Sequence, residues 1–188
     1  MSTRDLILQL GQELFRTKGF NAFSYYDLAE ALKVRPAAIH YHFPTKDDLA
    51  RAIIEQERET FQAFTEKTDR LTDYRLRMRR FIQSFAGHAE AHQLCLVGAS
   101  GADFASFGRA VHEQIRRMAT EIITWLERTL QEGRAAGTFV FQGSAHTRAL
   151  LVVTNMAASL HLARILGTQE FKRLSQQLLT DLTTRTPS

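Results

Sequence analysis

Apolar positions recur at helical spacing along most of the chain. Leu6, Leu10 and Leu14 stand four apart, with Ile7 and Phe15 alongside, and mark one face of a first helix. Gly19, in "KGF", is the expected C′ residue that ends it. Ser24 opens a second helix. Asp27 stands three residues on, where its carboxylate reaches back to an orphan amide: a capping box with Asp in place of Glu. Leu28, Ala31 and Leu32 supply the buried side. "LKV" is a tight turn. Pro36 then fits the first turn of a third helix, where its missing N–H costs nothing. That helix ends near His42, because the residue before Pro44 avoids the α region. Thr45 is the expected N-cap of a fourth, with Asp47 and Asp48 at its positive end.

Beyond this point the pattern predicts long helices over about 46–67, 73–92, 109–132, 144–166 and 169–184. Leu76, Phe81, Ile82, Phe85 and Ala89 stripe the second of these, and Phe171, Leu174, Leu178 and Leu182 the last. "LCLVGASGADFASFG" reads as a short helix between loops. "TFVF" has strand composition but no partner strand, so it is a loop. Proline occurs only at 36, 44 and 187, which leaves the middle of the chain unbroken. The expected fold is all-α: an N-terminal three-helix unit, residues 1–48, joined to a C-terminal helical bundle, residues 49–188.

Composition narrows the function. With 44% hydrophobic and 23% charged residues, 188 residues form a core without staples. Lys and Arg number 24 against 20 Asp and Glu, a net +4 that permits a nucleic-acid partner without demanding one. Residues 1–51 hold seven basic (4, 16, 18, 33, 35, 46, 51) and six acidic residues (5, 13, 27, 30, 47, 48), so any basic patch is local. Cys95 is the only cysteine, which excludes an intramolecular disulfide and points to a reducing cytoplasm. The N-terminus lacks the apolar run of a signal peptide. No window is expected to span a bilayer, since the richest, "ALLVVTNMAASLHLARIL", carries Asn155, His161 and Arg164. There is no P-loop, no G-x-S-x-G, no E-x-x-H and no G-x-G-x-x-G in context, so neither an enzyme nor a cofactor is expected.

"VRPAAIHYHF", residues 34–43, carries the chemistry. Three short helices, with a tight turn before the third, describe a helix-turn-helix. The second helix of the pair enters the DNA major groove, about 12 Å wide, and needs a slim leading face. Pro36, Ala37 and Ala38 provide one. Arg35 is placed to pair with guanine or phosphate, and His40, Tyr41 and His42 to hydrogen-bond phosphates on the flanks. Ser24, Tyr25 and Tyr26 at the start of the preceding helix, and Lys46 at the start of the next, complete the candidate DNA-binding set. The competing reading is a packing helix with its rings in the core. Val34, Ile39 and Phe43 take the inward role at helical spacing and leave 35–38 and 40–42 for the outside.

The stretch "AFSYYDLAEALKVRPAAIHYHFPTKDDL" resembles the N-terminal signature of the TetR family of bacterial transcriptional regulators, T-x-x-x-I-A-x-x-x-G-V-S-x-G-x-L-Y-x-H-F-x-x-K-x-x-L. Ser24, Leu28, Ala29, Val34, Ile39, His42, Phe43, Lys46 and Leu49 match in type and spacing, over roughly residues 4–55. There are departures. Lys33 replaces the usual Gly of the turn, Arg35 the usual Ser or Thr cap, Ala37 a common Gly and His40 a common Tyr. If His40 takes that tyrosine's phosphate contact, affinity rises as pH falls through the ordinary imidazole range, about 6.5.

The resemblance implies a DNA-binding regulator, typically a ligand-responsive repressor, whose C-terminal bundle dimerises and binds a small effector. A regulator that activates, or a helical small-molecule-binding or adaptor protein without an operator, are the alternatives. A homodimer on a palindromic double-stranded operator follows from geometry, since one such helix reads only a half-site. The last two helices are the expected interface, with Leu150, Leu151, Met156, Leu160, Leu174 and Leu178 in excess of one bundle's needs. The alternative is plain intrachain core. Phe61, Phe64, Phe81, Phe85, Phe104, Phe107, Met118 and Trp125 are candidates to line a pocket for an apolar or aromatic effector, though such side chains also fill ordinary cores. His88, His92 and Cys95 fall at i, i+4 and i+7 of a continuing helix. Cys95 reads as a buried thiol at a bend, as an electrophile or oxidant sensor activated by a neighbouring His, as in family relatives with a similar "CLxG" segment, or as part of a metal site that lacks a fourth ligand.

Overall fold

The computed structural model describes residues 1–183, and among these the regular structure is helical throughout. The helices are α1 (Thr3–Lys18), α2 (Tyr25–Leu32), α3 (Pro36–His42), α4 (Lys46–Thr68), α5 (Tyr74–Gln83), α6 (Ala86–Glu90), α7 (Leu96–Asp103), α8 (Arg109–Ala135), α9 (Ala145–Leu166) and α10 (Thr168–Thr183). Single 3₁₀ turns follow α1 and α7, at Phe20–Ala22 and Phe104–Ser106. The expected end of the last helix at 184 lies outside the described residues, as does Pro187. The chain divides into two compact units. One is Met1–Thr60 with Leu96–Met118. The other is Phe61–Cys95 with the residues from Ala119 on.

In the first unit the caps form as their residue types dictate. Ser2 with Asp5, and Ser24 with Asp27, close reciprocal capping boxes. Thr45 and Asp48 do the same at the start of α4: the Asp48 amide donates to Thr45 Oγ1 at 3.1 Å and the Thr45 amide to Asp48 Oδ2 at 3.0 Å. The buried face of α1 differs from the expected leucine stripe. Leu6 is exposed, Leu10 and Leu14 are half-buried, and burial centres on Ile7, Leu8, Gly11 and Phe15. The reason is Gly11. A Cβ there would stand 3.2 Å from Leu49 Cδ2 and 3.4 Å from Ile53 Cδ1, so the helix turns its bare position toward α4. In α2, Ala29 takes the buried place expected of Ala31, which is exposed.

In the second unit, Met78, Phe81, Ile82, Trp125, Leu126, Leu130, Phe139, Val152, Met156, Leu160, Phe171 and Leu182 form one core. The loop expected at "TFVF" is a loop: Phe139 is buried, and the Val140 amide donates to the Leu182 carbonyl at 2.8 Å. The single helix expected over 73–92 is two. Ser84 ends α5, its amide on the Arg80 carbonyl and its hydroxyl turned back on the Phe81 carbonyl at 2.7 Å. His92 then adopts a left-handed φ of 53°. No continuous helix therefore carries His88, His92 and Cys95 on one face, and the spacing argument for a metal site falls with it. A second correction concerns α9, which is by length and composition apolar enough to cross a membrane. Its Ala149, Val152, Met156, Leu160 and Ala163 are instead buried in this core. Met156 and Leu160, expected at an interface, thus belong to the chain's own interior.

Candidate nucleic-acid interface

The turn between α2 and α3 sets the site. Lys33 closes α2 in the left-handed region, at φ 55° and ψ 41°. The Val34 amide donates to the Ala29 carbonyl at 3.0 Å and the Lys33 amide to the Glu30 carbonyl at 3.2 Å, a Schellman-type closure. The chain leaves at a sharp angle, and Pro36 starts α3 with its φ already helical. Ile39 and Phe43 are buried and Val34 half-buried, which fixes the roll of α3. Arg35, Pro36, Ala37 and His40 are exposed, Ala38 and His42 half-buried, and Tyr41 stands out at 83% exposure. Tyr26 is 68% exposed on α2. The outer face of α3 is therefore narrow at its start and aromatic at its end.

Four of the candidates, Tyr25, His40, Ser24 and Lys46, hold this face in place. The Tyr25 hydroxyl donates to the Thr45 carbonyl, and its ring lies edge-on to His40 with centroids 4.8 Å apart. Burial pushes the Tyr25 phenol well above the usual tyrosine range, so it remains a donor at any physiological pH. His40 Nδ1 lies 3.3 Å from the Pro44 carbonyl. The Ser24 hydroxyl caps α2 and donates to Asp27 Oδ2 at 2.6 Å. Lys46 turns inward: its ammonium donates to the Phe20 and Phe23 carbonyls and lies over both rings, 4.5 and 4.4 Å from their centroids. Burial lowers its pKa, and the negative charges of Asp103 and Asp27 oppose the shift. Beside α3, a groove of about 750 Å³ is lined by Asp5, Asp48, Glu55 and Glu59 against Arg4 and Arg51. The groove beside α3 therefore carries charges of both signs.

The effector candidates divide between the two units. Phe61, Phe64, Phe81, Phe85 and Trp125 form one network in the second, with centroids 5.3 to 6.4 Å apart. Phe61, Phe64 and Phe85 are half-buried, and the Trp125 indole donates to Asp69 Oδ1 at 2.9 Å. Cys95, also half-buried, packs against the same core. Phe104, Phe107 and Met118 lie in the first unit. Phe104 stacks on His112 at 4.2 Å, and Phe107 packs on Phe15 and Phe20. Sequence reasoning missed Asp103, which accepts hydrogen bonds from the turn at 20–21. No sequence pattern links positions so far apart.

Residues 7–53 match the model of the bacterial regulatory proteins, tetR family. No curated protein matches the chain significantly. Over nearly its full length it is similar to a TetR-family transcriptional regulator from Agrobacterium tumefaciens, at 26% identity and a TM-score of 0.90, covering 96% of this chain and 97% of that one. It shares the fold of a TetR transcriptional regulator from Legionella pneumophila, at 24% identity and 0.87, covering 97% and 98%. It also shares that of the reduced form of E. coli NemR, at 18% identity and 0.80, covering 99% and 100%. Residues 7–53 thus carry the segment typical of tetR-family regulatory proteins, with α3 presented outward, on a fold that the chain shares end to end with TetR-family transcriptional regulators.

Proposed function

We propose that the protein is a cytoplasmic, ligand-responsive repressor that binds a palindromic operator as a homodimer. One observation carries this reading: Ile39 and Phe43 anchor α3 so that Arg35, Pro36, Ala37, Ala38 and Tyr41 face away from the core. In the major groove the small residues admit close approach, Arg35 reads guanine or phosphate, and Tyr41 and His42 reach phosphates. Ser24 and Tyr26 serve the flanking backbone. Tyr25, His40 and Lys46 contribute mainly by tying the 20–25 segment, the end of α3 and the start of α4 to one another. Residues 1–48 are the reading part and 49–188 the responding part.

The second helix pair supports dimerisation. Leu150, Leu151, Leu162, Ile165 and Leu166 on α9, and Leu174 on α10, remain exposed, with Ile165 at 76%. Covering these residues with a second copy pairs two α3 helices for two half-sites. The aromatic network around Trp125 is the proposed seat of a small apolar or aromatic inducer, with Cys95 on the same core to take an electrophilic one. Helix α4 links the parts, beginning at Lys46 and carrying Phe61 and Phe64. Release is a population shift, and inverting a 99:1 preference takes about 5.5 kcal/mol of differential affinity.

Fluorescence anisotropy on the DNA upstream of the protein's own gene, across a salt series, tests this. The expected result is two chains per site and a preference over scrambled duplex that survives at moderate salt. Equal affinity for both duplexes refutes it.

A further inference from the structure

The segment between α7 and α8 grips the turn that precedes the helix-turn-helix. Asp103, the last residue of α7, accepts the Phe20 amide on Oδ2 at 2.6 Å and the Asn21 amide at 3.4 Å. Its Oδ1 accepts Asn21 Nδ2 at 3.0 Å. Ser106 Oγ adds a contact to Asn21 Nδ2 at 2.9 Å. A second tie runs the other way, from the Gly108 amide to Asp47 Oδ2 at 2.9 Å, at the start of α4. Between the two ties Phe107 is buried against Phe15 and Phe20.

Both ties depend on glycines. A Cβ on Gly108 would lie 2.4 Å from Asp47 Oδ2, and one on Gly19, at φ +94°, 3.2 Å from Asp103 Oδ2. The Phe20 residue is held at both ends. Its amide goes to Asp103 and its carbonyl accepts from Lys46. Charged partners make these the stronger kind of hydrogen bond.

We propose that Asp103 is a positioning residue for DNA binding: by fixing the 19–23 turn it sets how α2 and α3 leave α1, without itself touching DNA. This rests on the reading of α3 as the DNA-reading helix. Electrostatics alone gives the opposite sign, since removing a carboxylate from a DNA-binding unit strengthens attraction to phosphate.

The test compares wild type with Asp103→Asn, and with Ser106→Ala as a milder control that leaves the carboxylate in place. Operator affinity is measured across salt, and amide hydrogen exchange of the full chain is measured without DNA. The proposal predicts that Asp103→Asn binds at least tenfold more weakly with an unchanged salt slope. It also predicts that amides over 20–43 exchange at least tenfold faster while α9 is unaltered. Equal or tighter binding by a folded Asp103→Asn overturns it, as does unchanged exchange at Phe20 and Asn21. If wild type selects no operator, the reading of α3 fails instead, and the exchange result still decides whether Asp103 fixes the turn.

Discussion

The Arg16 guanidinium, 4% exposed, meets the Glu57 carboxylate at 2.6 Å and so ties α1 to α4. Gln12 Nε2 adds a longer bond to the same oxygen at 3.3 Å. Such a pair is costly to break and cheap to replace, because the loss lies mainly in stranding a charge. Glu57→Ala is expected to destabilise by about 2–3 kcal/mol, somewhat below the fully buried case because Glu57 keeps 25% exposure. The double variant Arg16→Met/Glu57→Leu should recover most of that in urea unfolding. A double variant as unstable as the single one contradicts the assignment.

Lys33 occupies a conformation that suits glycine. Lys33→Gly removes left-handed strain of about 1–2 kcal/mol and gives back part of it through a freer unfolded chain. A net gain of about 0.5–1 kcal/mol is expected, read as a raised melting temperature. A lower melting temperature would show that the lysine stem packs usefully at the turn.

Three carboxyls in helix caps have pKa values held below the ordinary range. Asp27 owes this first to the Ser24 hydroxyl, Asp48 to the Thr45 hydroxyl and Asp5 to the Ser2 amide. Since the folded pKa lies below the unfolded one, about 3.9, their contribution is complete above that value. It is lost as pH falls through the folded pKa. The chain should lose stability progressively below about pH 4, and Asp27→Asn should flatten that slope. An identical slope in the variant would sink this account.

Tyr25→Phe keeps the ring against His40 and removes only the hydroxyl bond to Thr45. The Thr45 carbonyl then lacks that donor, at a cost of about 1 kcal/mol. Operator affinity should fall with it, although no DNA contact is lost, and the salt slope should not change. A reduced slope would mean that the hydroxyl reaches phosphate itself.

Ile165→Asp places charge in the exposed row of α9. It should yield a monomer by sedimentation and abolish operator binding with α1–α4 still folded. A dimeric Ile165→Asp protein would move the interface elsewhere.

The local chemistry was legible in the sequence wherever it is local. Ser24 and Asp27 announce a box, Pro36 and Pro44 bracket α3, and Ile39 and Phe43 mark its buried side. What escaped is tertiary. Gly11 rotates the buried face of α1 toward Leu49, which no leucine count reveals. Ser84 breaks the expected 73–92 helix by bonding back to Phe81, and a serine in that place is equally common in unbroken helices. Lys46 reads as a surface cation until the 20–23 carbonyls are folded beneath it. The aromatic network around Trp125 is legible only as composition, since aromatic residues of pockets and of cores are the same residues.

The central claim is that paired α3 helices read an operator. Selection from a random double-stranded DNA library with the purified protein, at stated salt, tests it most directly. The account predicts an enriched inverted repeat whose half-sites are about one helical turn apart, lost in Ile165→Asp and weakened in Arg35→Ala. A folded, dimeric protein that enriches no sequence, or only an unpaired half-site, contradicts it.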